Sequence, residues 1–209
     1  RQLHPVADLQ LFSDRNFVLG CLLSFTLGIG LFGSVYLMPV FLAFVRGHSA
    51  LQIGEIMLVT GLTQLLVAPL AVQLDRRMDP RLLSGIGFMI FACGLGFSAA
   101  QTPKTDYAEM FWPQIVRGAA IMFCLLPPTR LALENLEMRK IPDASGLFNL
   151  MRNIGGVIGI ALIDTVIYGR GPLYADTIVA ELQAGNSKTA AFVGVDLTSL
   201  VAIVRMPPD

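Results

Sequence analysis

From Phe17 to Val45 the chain carries no charged side chain. About 20 consecutive apolar residues cross the hydrocarbon of a bilayer, so this run reads as a spanning helix with length to spare. Tyr36 and Pro39 near its far end suggest an interfacial anchor and a kink. Four more runs of the same kind follow: 51–74, interrupted by Glu55; 82–100, rich in Gly and Phe; 109–133, entered through Trp112 and Pro113; and 144–169. Composition agrees, with 54% hydrophobic and 14% charged residues, where soluble domains carry about 25% charged. The expected fold is an all-α integral membrane bundle of five transmembrane helices over 17–170.

The segments around the spans are short and polar. Residues 1–16 read as a linker, Arg46 to Ser49 as a tight turn, and DRRMDPR (Asp75 to Arg81) as a compact charged loop. After Gly169 the character changes, and 171–209 reads as a loop segment with one amphipathic helix near Leu173 to Ala184. Residues 189–204 are short for a span and carry Asp196, so they are expected outside the membrane. With five spans the loops alternate sides. Arg15, Arg76, Arg77, Arg81, Arg139 and Lys140 fall on one side, and Arg46, Lys104 and Arg170 on the other, which makes the first side cytoplasmic and the long tail external. The chain opens at Arg1 with no signal-peptide pattern, and a fragment of a longer protein is the simplest expectation.

Zero net charge gives no reason to expect a nucleic-acid partner. Cys21, Cys93 and Cys124 lie inside apolar runs, read as small hydrophobes, and suggest no metal site. Two glycine patterns, Gly28-x-Gly30-x-x-Gly33 and the one from Gly94 to Ala99, match a dinucleotide fingerprint. That motif needs a strand before it and a free helix N-terminus after it; here both sit inside spanning runs, where helix packing explains them. His4 and His48 suggest no nucleophile–base pair. Neither enzymatic activity nor a cofactor is expected.

The fifth span, DASGLFNLMRNIGGVIGIALIDTVIY, organises the remainder. Pro142, Asp143 and Ser145 mark its start. Gly155 and Gly159, four apart, offer a bare patch for close approach of another helix. At about 100° per residue, Asn149, Asn153, Gly156 and Asp164 share one quadrant, a polar flank suited to lining a passage. Pro127 and Pro128 free backbone carbonyls in the fourth span, tolerated only where protein or cavity water satisfies them, which makes that span a second lining candidate. Intramembrane charge is costly, roughly 2.5–3.5 kcal/mol on the lenient scale, so Glu55, Arg117 and Asp164 draw attention. Arg117 pairing with Asp164 is feasible at matching depth. A register-fixing ion pair, a part in substrate or proton passage, and snorkelling to the outer interface all stay open. Arg130 and Glu134 form an i,i+4 pair at the inner end, and Arg152 is placed to snorkel or to dock on the inner loops.

Taken in order, LFSDRNF, YLMPVFL, GHSALQIG, LDRRMDPR, WPQIVRG and SGLFNLMRNIGGVIGIAL resemble the C-terminal half of a major facilitator superfamily drug:proton antiporter of the fourteen-helix, EmrB/QacA type. The resemblance covers nearly the whole chain and implies helices nine to thirteen, with the last helix of the half missing. It implies proton-coupled export of amphipathic compounds by alternating access from a bacterial inner membrane. The implied partners are the bilayer, substrate and protons, an N-terminal half, and a periplasmic adaptor protein. The second, fourth and fifth spans would correspond to the family's cavity-lining helices, the ones that carry the charges read above, and Glu55, Arg117, Asp164, Asn149, Asn153 and Tyr36 are the pathway candidates. Asp75, Arg76, Arg77, Arg81, Arg130, Glu134 and Arg152 become loop or gating candidates. LDRRMDPR departs from the superfamily's loop motif, with Val72 for its first Gly and the acid one position early at Asp75. A metabolite symporter and a non-transporting scaffold are the alternatives.

Overall fold

In a computed structural model, residues 9–99, 105 and 107–193 are described here. The expected linker up to Asp8 and the stretch from Gly194 onward, with most of 189–204, lie outside them, as does most of the loop before Tyr107. The chain divides into two compact units, 1–161 and 162–209, and each is taken by itself.

A 3-10 turn, Leu9–Ser13, leads into α1 (Arg15–Phe44), followed by α2 (Ala50–Arg77), α3 (Pro80–Ala99) and α4 (Tyr107–Leu133). Helix α5 (Ile141–Gln183) contains the boundary between the units, and α6 (Ser187–Val193) closes the described chain. Helices α1 to α5 are each long and apolar enough to cross a membrane.

The helix starts are written locally. Asp14 caps α1, its carboxylate accepting from the Asn16 and Phe17 amides at 2.8 and 2.9 Å, so the helix begins inside the segment the sequence assigns to the linker. Ser49 and Gln52 form a reciprocal capping box at α2, satisfying two of the amide donors a helix start leaves open. Gly47, at φ +67°, lets the turn between α1 and α2 reverse without a Cβ clash.

Helix α4 is the hub of the first unit, burying a larger share of its apolar length than any other spanning helix. Glycines set the spacing around it. A Cβ on Gly118 would stand 2.7 Å from the Thr60 carbonyl of α2, one on Gly87 of α3 2.7 Å from the Phe123 side chain, and one on Gly20 of α1 2.6 Å from Ala132. Three apolar clusters stack along the unit. Phe17, Cys21, Ala132, Leu147 and Phe148 form one end. Leu27, Phe91, Ala120, Ile121 and Cys124 fill the middle, and Met38, Leu42, Ile56 and Met110 close the other end.

Helix α5 joins through the small-residue patch. A Cβ on Gly155 would collide with the Phe25 carbonyl, and one on Gly159 would come within 2.6 Å of the Ile29 carbonyl, both on α1. Gly28 answers from α1, where a Cβ would collide with the Arg152 carbonyl. The first glycine fingerprint is therefore a helix–helix contact. Ser24 adds a buried hydrogen bond to the Phe148 carbonyl at 3.2 Å.

Two expectations are corrected. Pro127 and Pro128 do not open onto a cavity within the first unit; α4 runs through both, and both are fully buried. Proline removes one backbone donor and keeps a helical φ, and α3 lies over the Phe123 carbonyl so released, with Gly87 close enough that a Cβ would be 2.9 Å from that oxygen. The prolines thus mark the middle of a bundle, not the wall of a cavity. Nor does a helix end at Gly169: α5 continues through Gly169, Gly171 and Pro172 to Gln183, because one missing donor is outweighed by the helix formers that follow. In the second unit this part of α5 turns at Gly185, φ +76°. Asn186 donates to the Glu181 carbonyl and Gly185 to that of Leu182, the hydrogen-bond pair of a glycine-terminated helix end. Helix α6 then folds back, Thr189 donating to Glu181.

Candidate functional site

Arg117 leaves α4 ten residues after its first residue, Tyr107. At about 1.5 Å per residue that is roughly 15 Å, half the thickness of a hydrocarbon core. Its side chain is 2% exposed. Gly94 of α3 abuts its backbone, with Cβ distances of 3.3–3.4 Å, and Gly118 brings α2 to contact one residue later. Two small residues thus let α3 and α2 close on α4 at the level where Arg117 is buried.

Its partners are neutral. Nη2 donates to Gln114 Oε1 at 2.6 Å and lies 3.9 Å from the Met38 sulfur of α1, and Nε has no hydrogen-bond partner. Gln114 is one turn earlier on α4 and 1% exposed. Its oxygen also accepts from the Thr60 hydroxyl of α2, and its amide nitrogen donates to Met38. A guanidinium can only donate, so it obliges the amide oxygen to face it. Three helices therefore meet at one carboxamide, between the middle cluster and the one around Met38.

The sequence makes a carboxylate beside Arg117 feasible; within the first unit the guanidinium meets an amide oxygen and a thioether. Asp164, the expected partner, belongs to the second unit. Glu55 is not there either. It is exposed on α2, on the same flank as exposed Leu51, Leu58 and Leu62, whereas Thr60 turns inward. Glu55 thus lies on the outside of the first unit and Arg117 in its middle.

The polar flank of the fifth span also divides. Gly156 is buried, a Cβ there coming within 2.7 Å of the Phe32 ring of α1. Asn149 is half-buried, donating to the Ser145 carbonyl at 2.9 Å and accepting from Arg152. Arg152 thus bonds along its own helix. Asn153 is exposed, and Tyr36 and Asp164 are half-buried.

At the C-terminal end of α4, Arg130 reaches across to α2. It donates to the Asp75 carbonyl, in the last turn of α2, and pairs with Glu134 at 3.6 Å. The Asp75 carboxylate keeps one buried oxygen without a partner. Arg76 and Arg77 are exposed, and Arg81, also exposed, donates to Asn16 at 2.8 Å, tying the start of α3 to that of α1. No group of three His, Cys, Asp or Glu among the described residues could hold a metal.

Sequence reasoning missed Gln114, Thr60 and Met38. Gln114 leaves a signal, a Gln three residues before an Arg in an apolar run, since i,i+3 residues share a helix face. Thr60 and Met38 leave none, because nothing in α1 or α2 says which neighbour they meet.

The sequence matches the Major Facilitator Superfamily over residues 2–160. It is 40% identical over 164 residues to the colistin resistance protein EmrB of Acinetobacter baumannii, an overlap of 78% of this chain and 32% of that protein. It is 29% identical over 190 residues to the multidrug export protein EmrB of Haemophilus influenzae, covering 90% and 37%. The multidrug export protein EmrB of Escherichia coli K12 is 27% identical over 189 residues, again 90% and 37%. The chain spans about a third of the length of these curated relatives.

Proposed function

Because this chain belongs to the Major Facilitator Superfamily, it is a multi-pass membrane protein, and we propose that it forms part of a proton-coupled exporter of amphipathic compounds. The relatives named for colistin resistance and multidrug export support that reading. One observation carries it: a guanidinium 2% exposed, at mid-depth in a spanning helix, with neutral partners. A protein that only had to reside in a bilayer would gain by replacing such a group, since polar and ionised residues at that depth are retained mainly for function.

The chain in this reading is a fragment of the C-terminal half of a carrier in a bacterial inner membrane. An N-terminal half supplies the opposite wall, and exchange proceeds by alternating access about a site between the halves. The exposed flank of α2, with Glu55 among leucines, is turned toward that other half, because a carboxylate at this position is more costly against lipid than against protein or cavity water. The inner ends with Arg76, Arg77 and Arg81 are cytoplasmic, the segment after Gly169 is external, and a periplasmic adaptor protein works with the whole.

The test is export by the complete transporter containing this chain, expressed in an efflux-deficient bacterial host. Cells loaded with a lipophilic dye should lose it faster than controls, and an uncoupler that collapses the proton gradient should abolish the difference. Well-inserted protein that exports none of a panel of amphipathic compounds would overturn the reading.

A further inference from the structure

The Arg117 cluster contains a feature that membrane residence does not need. Arg117 retains its proton at any accessible pH, and its hydrogen-bond partners in the first unit, Gln114 and Met38, carry no charge. Replacing Gln114 by Glu would require only the exchange of an NH2 for an oxygen, and would give the guanidinium a buried carboxylate. The chain instead holds a carboxamide there and fixes its orientation from both sides. Thr60 donates to the oxygen, and the Met38 sulfur accepts from the nitrogen. The glycine contacts at Gly94 and Gly118 keep α3 and α2 pressed against α4 at the same level.

We propose that Gln114 is a positioning residue that holds Arg117 in place as an uncompensated positive charge, that this charge is required for the transport cycle, and that Thr60 sets the direction of the Gln114 amide. The inference rests on the transport reading above and deepens it. An ordinary register lock would work as well with an ion pair, whereas a carboxylate at position 114 cancels the field that the buried guanidinium projects through the low-dielectric bundle. Gln114 touches no substrate; it acts through Arg117.

Gln114→Glu and Gln114→Leu, made in the complete transporter, separate charge from scaffold. In Gln114→Glu both Thr60 and Arg117 still find an acceptor, and the adjacent guanidinium keeps the new carboxylate ionised. The expected result is a protein of wild-type abundance and unchanged or higher melting temperature in detergent, whose dye export falls by about tenfold or more, the scale of losing one aimed charge in a dry site. Gln114→Leu should lower both the melting temperature and export. A second pair guards against misfolding of the first: Thr60→Val should reduce export severalfold, and Thr60→Ser, which restores the hydroxyl, should recover it.

Wild-type export by Gln114→Glu at an unchanged melting temperature would overturn the inference while leaving the transport reading intact. Equal export by Thr60→Val and Thr60→Ser would remove the role given to Thr60. A wild-type transporter that moves nothing sinks the transport reading, and this inference with it.

Discussion

Arg117 and Arg130 are the same residue type on the same helix, thirteen positions apart, or roughly 20 Å along the axis at about 1.5 Å per residue. One is sealed among glycines, a carboxamide and a thioether. The other has a third of its side chain exposed and bonds a helix-end carbonyl and a glutamate. At the rim water stands in for any lost partner, so an arginine can take a carboxylate and contribute little. In the middle of the bundle nothing stands in. Each neutral contact then decides whether the cation is tolerated at all.

The hardest blow to this contrast comes from Gln114→Leu, which leaves a buried cation without its main acceptor. It should destabilise by about 3 kcal/mol or more in thermal unfolding in detergent micelles. Adding Arg117→Met to it should recover part of the loss; a double variant less stable than Gln114→Leu alone would show that the cation is not the source of the cost. Next in size is Gly118→Val, whose Cβ meets the Thr60 carbonyl and should cost about 1–3 kcal/mol as overpacking. Gly61→Ala, one residue from Thr60 but with nothing within 4 Å of the added Cβ, should leave the melt near wild type. If both glycine changes act alike, close approach of α2 and α4 is not what seals the site. Thr60→Val removes one of two donors to an oxygen that Arg117 still satisfies, and should cost about 1 kcal/mol. The smallest effect belongs to the rim: Glu134→Ala, about 0.5 kcal/mol or less, and screened by salt. A loss at Glu134 equal to that at Gln114 would erase the distinction between the two arginines.

Much of the helix framework was legible in the residues. Uncharged length marks the spans, Pro142 and Asp143 announce the fifth helix, and Gly155 with Gly159 announces a close contact. Asp14 and the Ser49–Gln52 box carry equally local helix-start signals, embedded in a linker and a turn. Gly169, Gly171 and Pro172 misled, because glycine and proline weaken a helix without obliging it to stop. The site was legible only as Arg117. Its neighbours Gln114, Thr60 and Met38 were not, because depth along a helix says nothing about which side of it a residue occupies.

Residue composition alone determined that this chain enters a bilayer as helices, since only a closed hydrogen-bonded backbone survives there. Which helix became the hub, that Gly118 and Gly94 press α2 and α3 onto it, and that a carboxamide faces the guanidinium were decided by tertiary structure. The physical reason is the solvent. A membrane helix is apolar on the sides that meet lipid and on those that meet protein, so its hydrophobic pattern cannot distinguish them. Only the contacts formed on assembly settle where a polar side chain points.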